Sequence, residues 1–332
     1  MKRRDVIAGL MVAYTLGDAH AQQTKKYRIA ILDPATPVQV MNESTGPEYP
    51  LWGPLFKELR RLGYVEGQNL LVERYSGRAN YTPDIARTVV ASNPDLIFSV
   101  TNFVAHDLIT MTHRIPIVGI AADPIRFGLA RNMARPGGNF TGVSPDAGYD
   151  VWGKRLELLR ELVPRMSTVG ILVTRAQWES FFRTGFEKLA PELRVAVVGP
   201  SLERPLTEAE VRRVFAAMSQ ERADALYVSE TAEVFVHAPL IVELAQKYRL
   251  PAVYAYRYDA QIGGLMAYDY GLSDLGRIMA DQIDQILKGT EPGDIPIYQA
   301  AKFTLTINVK TAKALGLTVP TSLLARADEV IE

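Results

Sequence analysis

The residue types that carry most enzyme chemistry are sparse in this sequence. It contains no cysteine, and its four histidines are His20, His106, His113 and His237. None of these histidines lies at a metal-ligand spacing from another histidine or a carboxylate. No nucleophile-elbow motif and no dinucleotide-binding glycine motif follows a predicted strand. We therefore expect no cysteine- or histidine-centred active site, no metal and no cofactor.

Residues 148–155 (GYDVWGKR) match a phosphate-binding loop up to its last position. That position should be Ser or Thr, which holds Mg²⁺, and here it is Arg155. Tyr149, Val151 and Trp152 are too bulky for a loop whose backbone amides wrap a phosphate. The apolar periodicity of 152–162 predicts the start of a helix instead, so no nucleotide site is expected.

Polar side chains follow three predicted strands in the first half of the chain. Asp33 and Thr36 follow the first strand, Thr101 and Asn102 the third, and Asp123 the fourth. Open α/β sheets bind ligands beyond the carboxyl ends of their strands, where helix N-termini present free N–H groups. Thr101 and Asn102 begin a predicted helix, so their side chains and backbone donors could hold a carboxylate. Ordinary helix N-capping is the alternative.

The second half of the chain offers a matching set of candidate ligand-binding residues near strand ends, namely Trp178, Glu230, Tyr256, Arg257, Tyr268 and Asp269. Trp178 could stack on a flat ligand, and Arg257 could form a bidentate pair with a carboxylate. Asp269 could accept an ammonium group or brace Arg257. The alternatives are helix packing for Trp178 and an ion pair between lobes for Arg257 and Asp269. Together these groups predict a small organic acid as ligand, aromatic or amino-acid-like.

The elements that position these residues follow a repeated pattern. Short β-branched or aliphatic runs alternate with longer amphipathic runs, as in βα units on parallel sheets. The first half contains predicted strands at 27–32, 70–75, 96–100 and 117–121 and helices at 50–62, 83–92 and 103–112. After the turn-forming residues 135–139 the alternation begins again. The fold class is therefore α/β, with two doubly wound lobes.

The second series is equally regular. Its predicted strands are 168–173, 194–198, 224–229 and 251–254, and its helices are 151–162, 178–189, 207–221 and 233–248. A strand at 264–268, a helix at 273–287, an extended segment at 295–307 and a short helix at 311–315 complete the chain. In a two-lobed protein, these late segments would cross back over the hinge.

The N-terminus has the organisation of an export signal. Three basic residues at 2–4 precede a mostly apolar run at 6–16, and the small-x-small sequence Ala19-His20-Ala21 follows. We expect residues 1–21 to be removed after export by the general or the twin-arginine route. Because the chain has no cysteine for a lipid anchor, the mature protein is expected to lie free in the periplasm.

The composition limits the kinds of partner that the protein can have. No other apolar run approaches the roughly 18 residues that a membrane span requires, so stable membrane insertion is not expected. The whole sequence has 37 basic and 37 acidic residues, and cleavage would leave the mature chain at about −1. Such a chain lacks the basic surplus that nucleic-acid binding requires. The chain is longer than a single hydrophobic core usually accommodates, which predicts two domains.

Several ordered blocks of the sequence resemble the ABC transporter substrate-binding family whose better-known members bind tryptophan and other aromatic amino acids. The most extensive are 63–70 (GYVEGQNL), 134–144 (ARPGGNFTGVS) and 308–317 (NVKTAKALGL). Further blocks lie at 115–118, 123–124, 128–130, 154–159, 249–254 and 263–268. The resemblance covers nearly the whole mature chain.

The resemblance implies a type I periplasmic binding protein fold, in which two Rossmann-like lobes joined by three crossings close on a ligand. We expect lobe 1 to comprise 27–145 and 266–292, and lobe 2 to comprise 146–265 and 293–332. The implied function is the solute-binding component of an ABC-type importer, a monomer that delivers its ligand to a permease and its ATPase subunit. A ligand-sensing partner of a receptor and, further off, an enzyme with an unrecognised carboxylate site are the alternatives.

Overall fold

The structure is a computed structural model that describes residues 25–78, 81–145 and 149–332. The predicted signal sequence, 1–21, lies outside the described residues. In chain order the strands are β1 (Tyr27–Asp33), β2 (Leu70–Ser76), β3 (Leu96–Val100), β4 (Ile117–Ile120), β5 (Phe140–Ser144), β6 (Thr168–Leu172), β7 (Ala196–Val198), β8 (Ala225–Val228), β9 (Ala252–Tyr254), β10 (Met266–Asp269), β11 (Tyr298–Gln299), β12 (Thr304–Asn308) and β13 (Glu329–Ile331).

These strands form two sheets. The first has the order β11-β5-β4-β3-β1-β2, and the second has the order β13-β12-β10-β9-β8-β6-β7. The strands pair in parallel except for β10 and β12, which are antiparallel. Parallel neighbours require a crossover connection, and the helices between the strands supply it.

The helices are α1 (Trp52–Arg61), α2 (Pro83–Ala91), α3 (Asn102–Met111), α4 (Tyr149–Leu162), α5 (Arg175–Gln177), α6 (Arg183–Glu192), α7 (Glu208–Gln220), α8 (Ala232–Phe235), α9 (Ala238–Lys247), α10 (Arg257–Gln261), α11 (Leu272–Leu287), α12 (Val309–Leu315) and α13 (Thr321–Leu324). A π-helical turn, Trp178–Phe182, joins α5 to α6. The predicted helix 233–248 is two helices, α8 and α9, and the helix predicted in place of a phosphate-binding loop is α4.

Both faces of each sheet are buried, which explains the nearly continuous apolar runs. In β1, Ile29 and Ile31 join one hydrophobic cluster, whereas Ala30 and Leu32 join the cluster on the opposite face. Successive side chains of a strand point to opposite faces, so a strand covered on both sides must be apolar throughout. Each sheet with its two layers of helices is one doubly wound lobe, as the alternating pattern predicts.

The sheet pairings differ from the expected lobe boundaries at two short segments. Met266–Asp269 was expected in lobe 1, but it is β10 and pairs with β9 and β12 of the second sheet. Tyr298–Gln299 was expected in lobe 2, but it is β11 and pairs with Val143 and Ser144 of the first sheet. Helix α11 packs closely against the first lobe, where a Cβ on Gly276 would lie 2.8 Å from the carbonyl oxygen of Leu51. The chain therefore passes from the second sheet to α11 of the first lobe after β10 rather than before it.

Candidate functional site

A cleft of about 340 Å³ lies between the lobes at the carboxyl ends of their strands. This volume is at the lower end of the range of small-molecule sites, about 300–1,000 Å³. Six of the sequence-predicted residues line it: Asp33, Thr36, Thr101, Asn102, Glu230 and Tyr256. The rule that ligands bind beyond strand ends thus locates much of the cleft.

Five other predicted residues, Asp123, Trp178, Arg257, Tyr268 and Asp269, are not among the residues that line this cleft. Arg257 is half-exposed, and its guanidinium forms two hydrogen bonds with the carboxylate of Glu329, at 2.5 and 2.7 Å. Asp269 accepts the backbone N–H groups of Gly271 and Arg257, at 2.9 and 3.3 Å. The partner of Arg257, at the start of α10, is therefore a residue of β13 in the same lobe, which no local pattern indicates.

The other three predicted residues, Trp178, Tyr268 and Asp123, make their contacts outside the cleft lining. Trp178 is partly buried and packs on Phe186, with 6.1 Å between ring centroids. Tyr268 stacks on Phe303 at 5.2 Å. The Asp123 side chain is exposed and accepts the backbone N–H of Arg126 at 3.1 Å. For Trp178, the helix-packing alternative describes its place in this structure.

Asp33 is the last residue of β1 and is 2% exposed. Its Oδ1 accepts the backbone N–H groups of Ala35 and Thr36, at 2.8 and 3.0 Å, which fixes the turn that leaves the strand. Burial raises the pKa of Asp33, although these hydrogen bonds oppose the shift. The first lobe thus presents a largely desolvated carboxyl group to the cleft.

Thr101 and Asn102 connect β3 to α3 at the cleft wall. Thr101 has a φ of +84°, which is unusual for a β-branched residue and incurs backbone strain. No side-chain cap bond is formed at this helix start. Within the described part of the chain, the buried Thr101 Oγ1 has no hydrogen-bond partner. The geometry therefore differs from ordinary N-capping, and it leaves the hydroxyl and the first N–H groups of α3 available as donors.

In the second lobe, Glu230 is held by a buried network. Its Oε1 accepts Trp152 Nε1–H and its Oε2 accepts Arg155 Nη1–H, both at 2.9 Å. Arg155 is 1% exposed and also donates to the Tyr227 hydroxyl and the Tyr268 carbonyl, at 3.0 and 3.1 Å. Burial alone would lower the pKa of Arg155, but the surrounding oxygen atoms outweigh this effect and raise it. The pair of Arg155 and Glu230 is therefore a fixed part of the cleft floor.

Two hydrogen-bonded tyrosines connect Glu230 to the segment between β10 and α11. The Tyr270 hydroxyl donates to the Tyr256 hydroxyl at 2.9 Å, and Tyr256 donates to the backbone carbonyl of Glu230 at 2.6 Å. Tyr270 lies in the segment that crosses from β10 to α11. Burial raises the pKa of both tyrosines, so both hydroxyls remain protonated at neutral pH.

Aromatic side chains from both lobes form much of the cleft wall: Tyr49, Trp52, Phe103, Phe127, Phe182, Phe235, Tyr256 and Tyr270. Phe235 and Tyr256 make an edge-to-face contact at 4.4 Å. Sequence reasoning identified Tyr256 but missed most of the others. Phe103 directly follows the predicted helix start, and Tyr270 follows Asp269, so extending the strand-end search by one residue would have found both.

Arg204 is the basic residue of the lining, and sequence reasoning also missed it. It pairs with Glu233, and its guanidinium lies 5.8 Å from the centroid of the Phe103 ring. The backbone N–H of the preceding residue, Glu203, donates to Glu210 at 2.7 Å, which ties this loop to α7. Arg204 therefore contacts an aromatic residue of the first lobe from a loop of the second.

The described residues contain no group of three or more histidine, aspartate and glutamate side chains that could hold a metal ion. Among the same residues, no helix is both long and apolar enough to cross a membrane.

Comparisons with known proteins agree with this architecture. The sequence model of the family described as ABC transporter substrate binding protein matches residues 51–331. The tyrosine-binding protein of Clostridioides difficile (strain R20291) is 25% identical over 265 residues, covering 79% of this chain and 75% of that protein.

Two solved structures are similar over 92% of this chain and 100% of their own chains. One is an ABC domain from Streptococcus pneumoniae in complex with L-Trp, with a TM-score of 0.77 and 24% identity. The other is a conserved domain protein from Vibrio cholerae, with a TM-score of 0.79 and 25% identity. The fold is that of the type I periplasmic binding proteins, as expected. Because the family model matches most of its length, the chain belongs to the ABC transporter substrate-binding protein family.

Proposed function

We propose that this protein is the solute-binding component of an ABC importer and that its ligand is a small aromatic, amino-acid-like molecule. The observation that carries the proposal is the cleft itself, in which aromatic side chains of both lobes face a few polar groups at strand and helix ends. Ligand sites of this kind are mostly apolar, with a small number of polar groups that fix orientation.

The aromatic walls favour a ring-bearing ligand. Phe103 and Phe127 come from the first lobe, and Phe182 and Phe235 from the second, so a flat molecule between the lobes would contact rings on both sides. Aromatic pairs contribute roughly 0.5–1.5 kcal/mol beyond simple area burial. The cleft volume of about 340 Å³ suits a molecule of amino-acid size rather than a long peptide.

The start of α3 suits the carboxylate of such a ligand. The first N–H groups of a helix have no partner inside the helix and bear partial positive charge. Thr101 Oγ1 adds a buried hydroxyl without a partner in the described chain. The Asn102 side chain lines the cleft beside it. The tyrosine-binding and L-Trp-bound relatives support a ligand of this chemistry.

We place the protein in the periplasm, after removal of residues 1–21, where it delivers its ligand to a permease and its ATPase subunit. Export sequences of this organisation support the location. Binding between two lobes requires an opening and closing motion about the hinge crossings, because a buried site must open to load. We propose that the protein works as a monomer.

A thermal-shift screen tests the ligand class. Ligand at about 100 times its Kd should stabilise the protein by about 2.7 kcal/mol. L-Tyrosine, L-tryptophan and L-phenylalanine should raise the melting temperature, whereas neutral sugars should not. Phe103→Leu, in the cleft wall, should weaken the best aromatic ligand, and Phe303→Leu, which removes a ring stacked outside the cleft lining, serves as the matched control. Stabilisation by a sugar and by none of the aromatic compounds would refute the proposed ligand class.

A further inference from the structure

The two carboxylates that line the cleft, Glu230 and Asp33, differ in the partners that offset their buried negative charge. Glu230 is paired with the buried Arg155 and also accepts the Trp152 N–H. Asp33 accepts hydrogen bonds from its own turn, through Ala35 and Thr36. A buried carboxylate is costly unless a charge or several hydrogen bonds compensate it. The cleft therefore contains one neutralised acid and one that lacks a counter-charge.

No basic side chain within the described ranges forms an ion pair with Asp33, and the hydrogen bonds to its carboxylate come from its own turn. The charged group of the opposite lobe that does interact with it is Glu233, another acid. The cation of the cleft lining, Arg204, is paired with Glu233 and lies over the Phe103 ring. Arg78, two residues beyond β2, influences the pKa of Tyr49, as Asp33 also does, but among the described residues it forms no ion pair with Asp33. The ligand can therefore supply the positive group with which Asp33 would pair.

We infer that Asp33 binds the ammonium group of the ligand and that this ammonium, rather than the carboxylate, is the group that the cleft requires. The inference rests on the proposed function, because it specifies the ligand class of the same cleft. An ammonium at Asp33 compensates a buried charge, whereas a ligand without one leaves that charge unpaired. The donors at the start of α3, the Thr101 hydroxyl and the first backbone N–H groups, are neutral and individually weaker partners for the carboxylate. Arg204, which lies over the Phe103 ring, is already paired with Glu233.

The resulting specificity is distinct from that of a site for aromatic acids. Aromatic amino acids should bind best, and aromatic amines that lack the carboxylate should retain part of the affinity. Deaminated aromatic acids of the same size should be rejected. Sites that pair a buried polar group with the substrate reject analogues lacking that group strongly, because the protein group is then left unpaired.

The experiment is a thermodynamic cycle in which the ligand amine, the charge of residue 33, or both are removed. Calorimetry measures the binding free energy of each combination. The probes are L-tyrosine, tyramine and 3-(4-hydroxyphenyl)propionate, with L-tryptophan, tryptamine and indole-3-propionate as a second series. The proteins are wild type and Asp33→Asn. The amide keeps an oxygen that can accept the N–H groups of Ala35 and Thr36, so the turn is retained while the charge is removed.

For wild type, removal of the amine should weaken binding by about 30-fold or more, and more than removal of the carboxylate does. Asp33→Asn should lose about 30-fold or more for the amino acid. The same variant should bind the deaminated acid as well as wild type does, or better. The coupling between ligand amine and residue 33 isolates their direct interaction. Asp123→Asn, an exposed strand-end acid outside the lining, is the matched control and should leave all affinities unchanged.

The outcomes separate the two proposals. If an aromatic acid binds within about 3-fold of the corresponding amino acid, or if the cycle shows no coupling, the role of Asp33 is refuted while the aromatic ligand class stands. If none of the six probes binds to wild type, the proposed ligand class fails, and the inference fails with it.

Discussion

The polar groups that the two lobes present to the cleft are satisfied to different degrees. In the first lobe, Asp33 has no cationic partner in the described chain, and Thr101 Oγ1 has no hydrogen-bond partner there. In the second lobe, Glu230 is fixed by Arg155 and Trp152. A buried polar group without a partner in the protein can be completed by a ligand, whereas a carboxylate held by several partners is fixed in place. The difference concerns these cleft-facing groups, because Arg155 Nη2, deeper in the second lobe, also has no partner among the described residues. We infer that the first lobe supplies polar recognition and that the second lobe supplies a preformed floor.

The largest effect on stability is expected in the cleft floor, at the pair of Arg155 and Glu230. Arg155→Met keeps much of the side-chain volume but leaves Glu230, which is 15% exposed, without its cation. Breaking a buried pair by removing one partner costs about 3–5 kcal/mol. We expect urea denaturation to show a loss of this size. Arg257→Met is the matched control, because its pair with Glu329 is half-exposed, and it should cost no more than about 1 kcal/mol. Equal losses in the two variants would contradict a preformed charged floor.

A smaller effect of opposite sign is expected at Asp33 in the ligand-free protein. Burial raises the pKa of this carboxyl group in the folded state. An acid with a raised folded-state pKa destabilises the fold at neutral pH, and this cost is relieved as the pH falls through the folded value towards the unfolded one. Asp33→Asn should therefore increase the free energy of unfolding at about pH 7.5 by on the order of 1 kcal/mol.

The pH profile provides the control for that variant. The advantage of Asp33→Asn over wild type should shrink as the pH falls towards about 4, where the carboxyl group begins to be protonated in the unfolded chain as well. Urea denaturation at several pH values measures the difference. An advantage that stays constant with pH would mean that the charge of Asp33 is not the cause.

Most of the fold could be predicted because local and global preferences agree. Strands buried on both faces must be nearly continuously apolar, as residues 29–32 of β1 and all of β8 are, and that signal is visible in sequence. Strand β5 was missed because Gly142 and the preceding turn residues indicate a loop. Its pairing depends on tertiary contact: Gly142 has a φ of +146°, and a Cβ there would lie 1.9 Å from the carbonyl oxygen of Gly119. Only a glycine fits this close approach of neighbouring strands.

The position of the candidate cleft could be predicted from the sequence, but the side-chain pairs around it could not. Strand ends identify Asp33, Thr101 and Glu230, since they depend only on where each strand stops. Partners far apart in sequence decide the rest: Glu230 lies 75 residues from Arg155, and Arg257 lies 72 residues from Glu329. No periodicity encodes such distances. Of the two groups expected to hold a carboxylate, Thr101 and Asn102 line the cleft whereas Arg257 does not, and Arg155, predicted only as a helix residue, holds Glu230 in the cleft floor.

The smallest effect is expected for ligand binding by Arg257→Met. A fork-shaped cation at a strand end suits a carboxylate, and removing a desolvated pair of that kind would cost about 30-fold or more in affinity. In this structure the Arg257 side chain is 50% exposed, engaged by Glu329 and outside the residues that line the cleft. Solvent screens such a pair, so its contribution is small. We therefore expect Arg257→Met to bind L-tyrosine or L-tryptophan within about 3-fold of wild type by calorimetry, while Asp33→Asn loses at least ten times more. If Arg257→Met lost about 30-fold or more, the second lobe would supply the carboxylate clamp in the liganded state, and the division of roles between the lobes would be wrong.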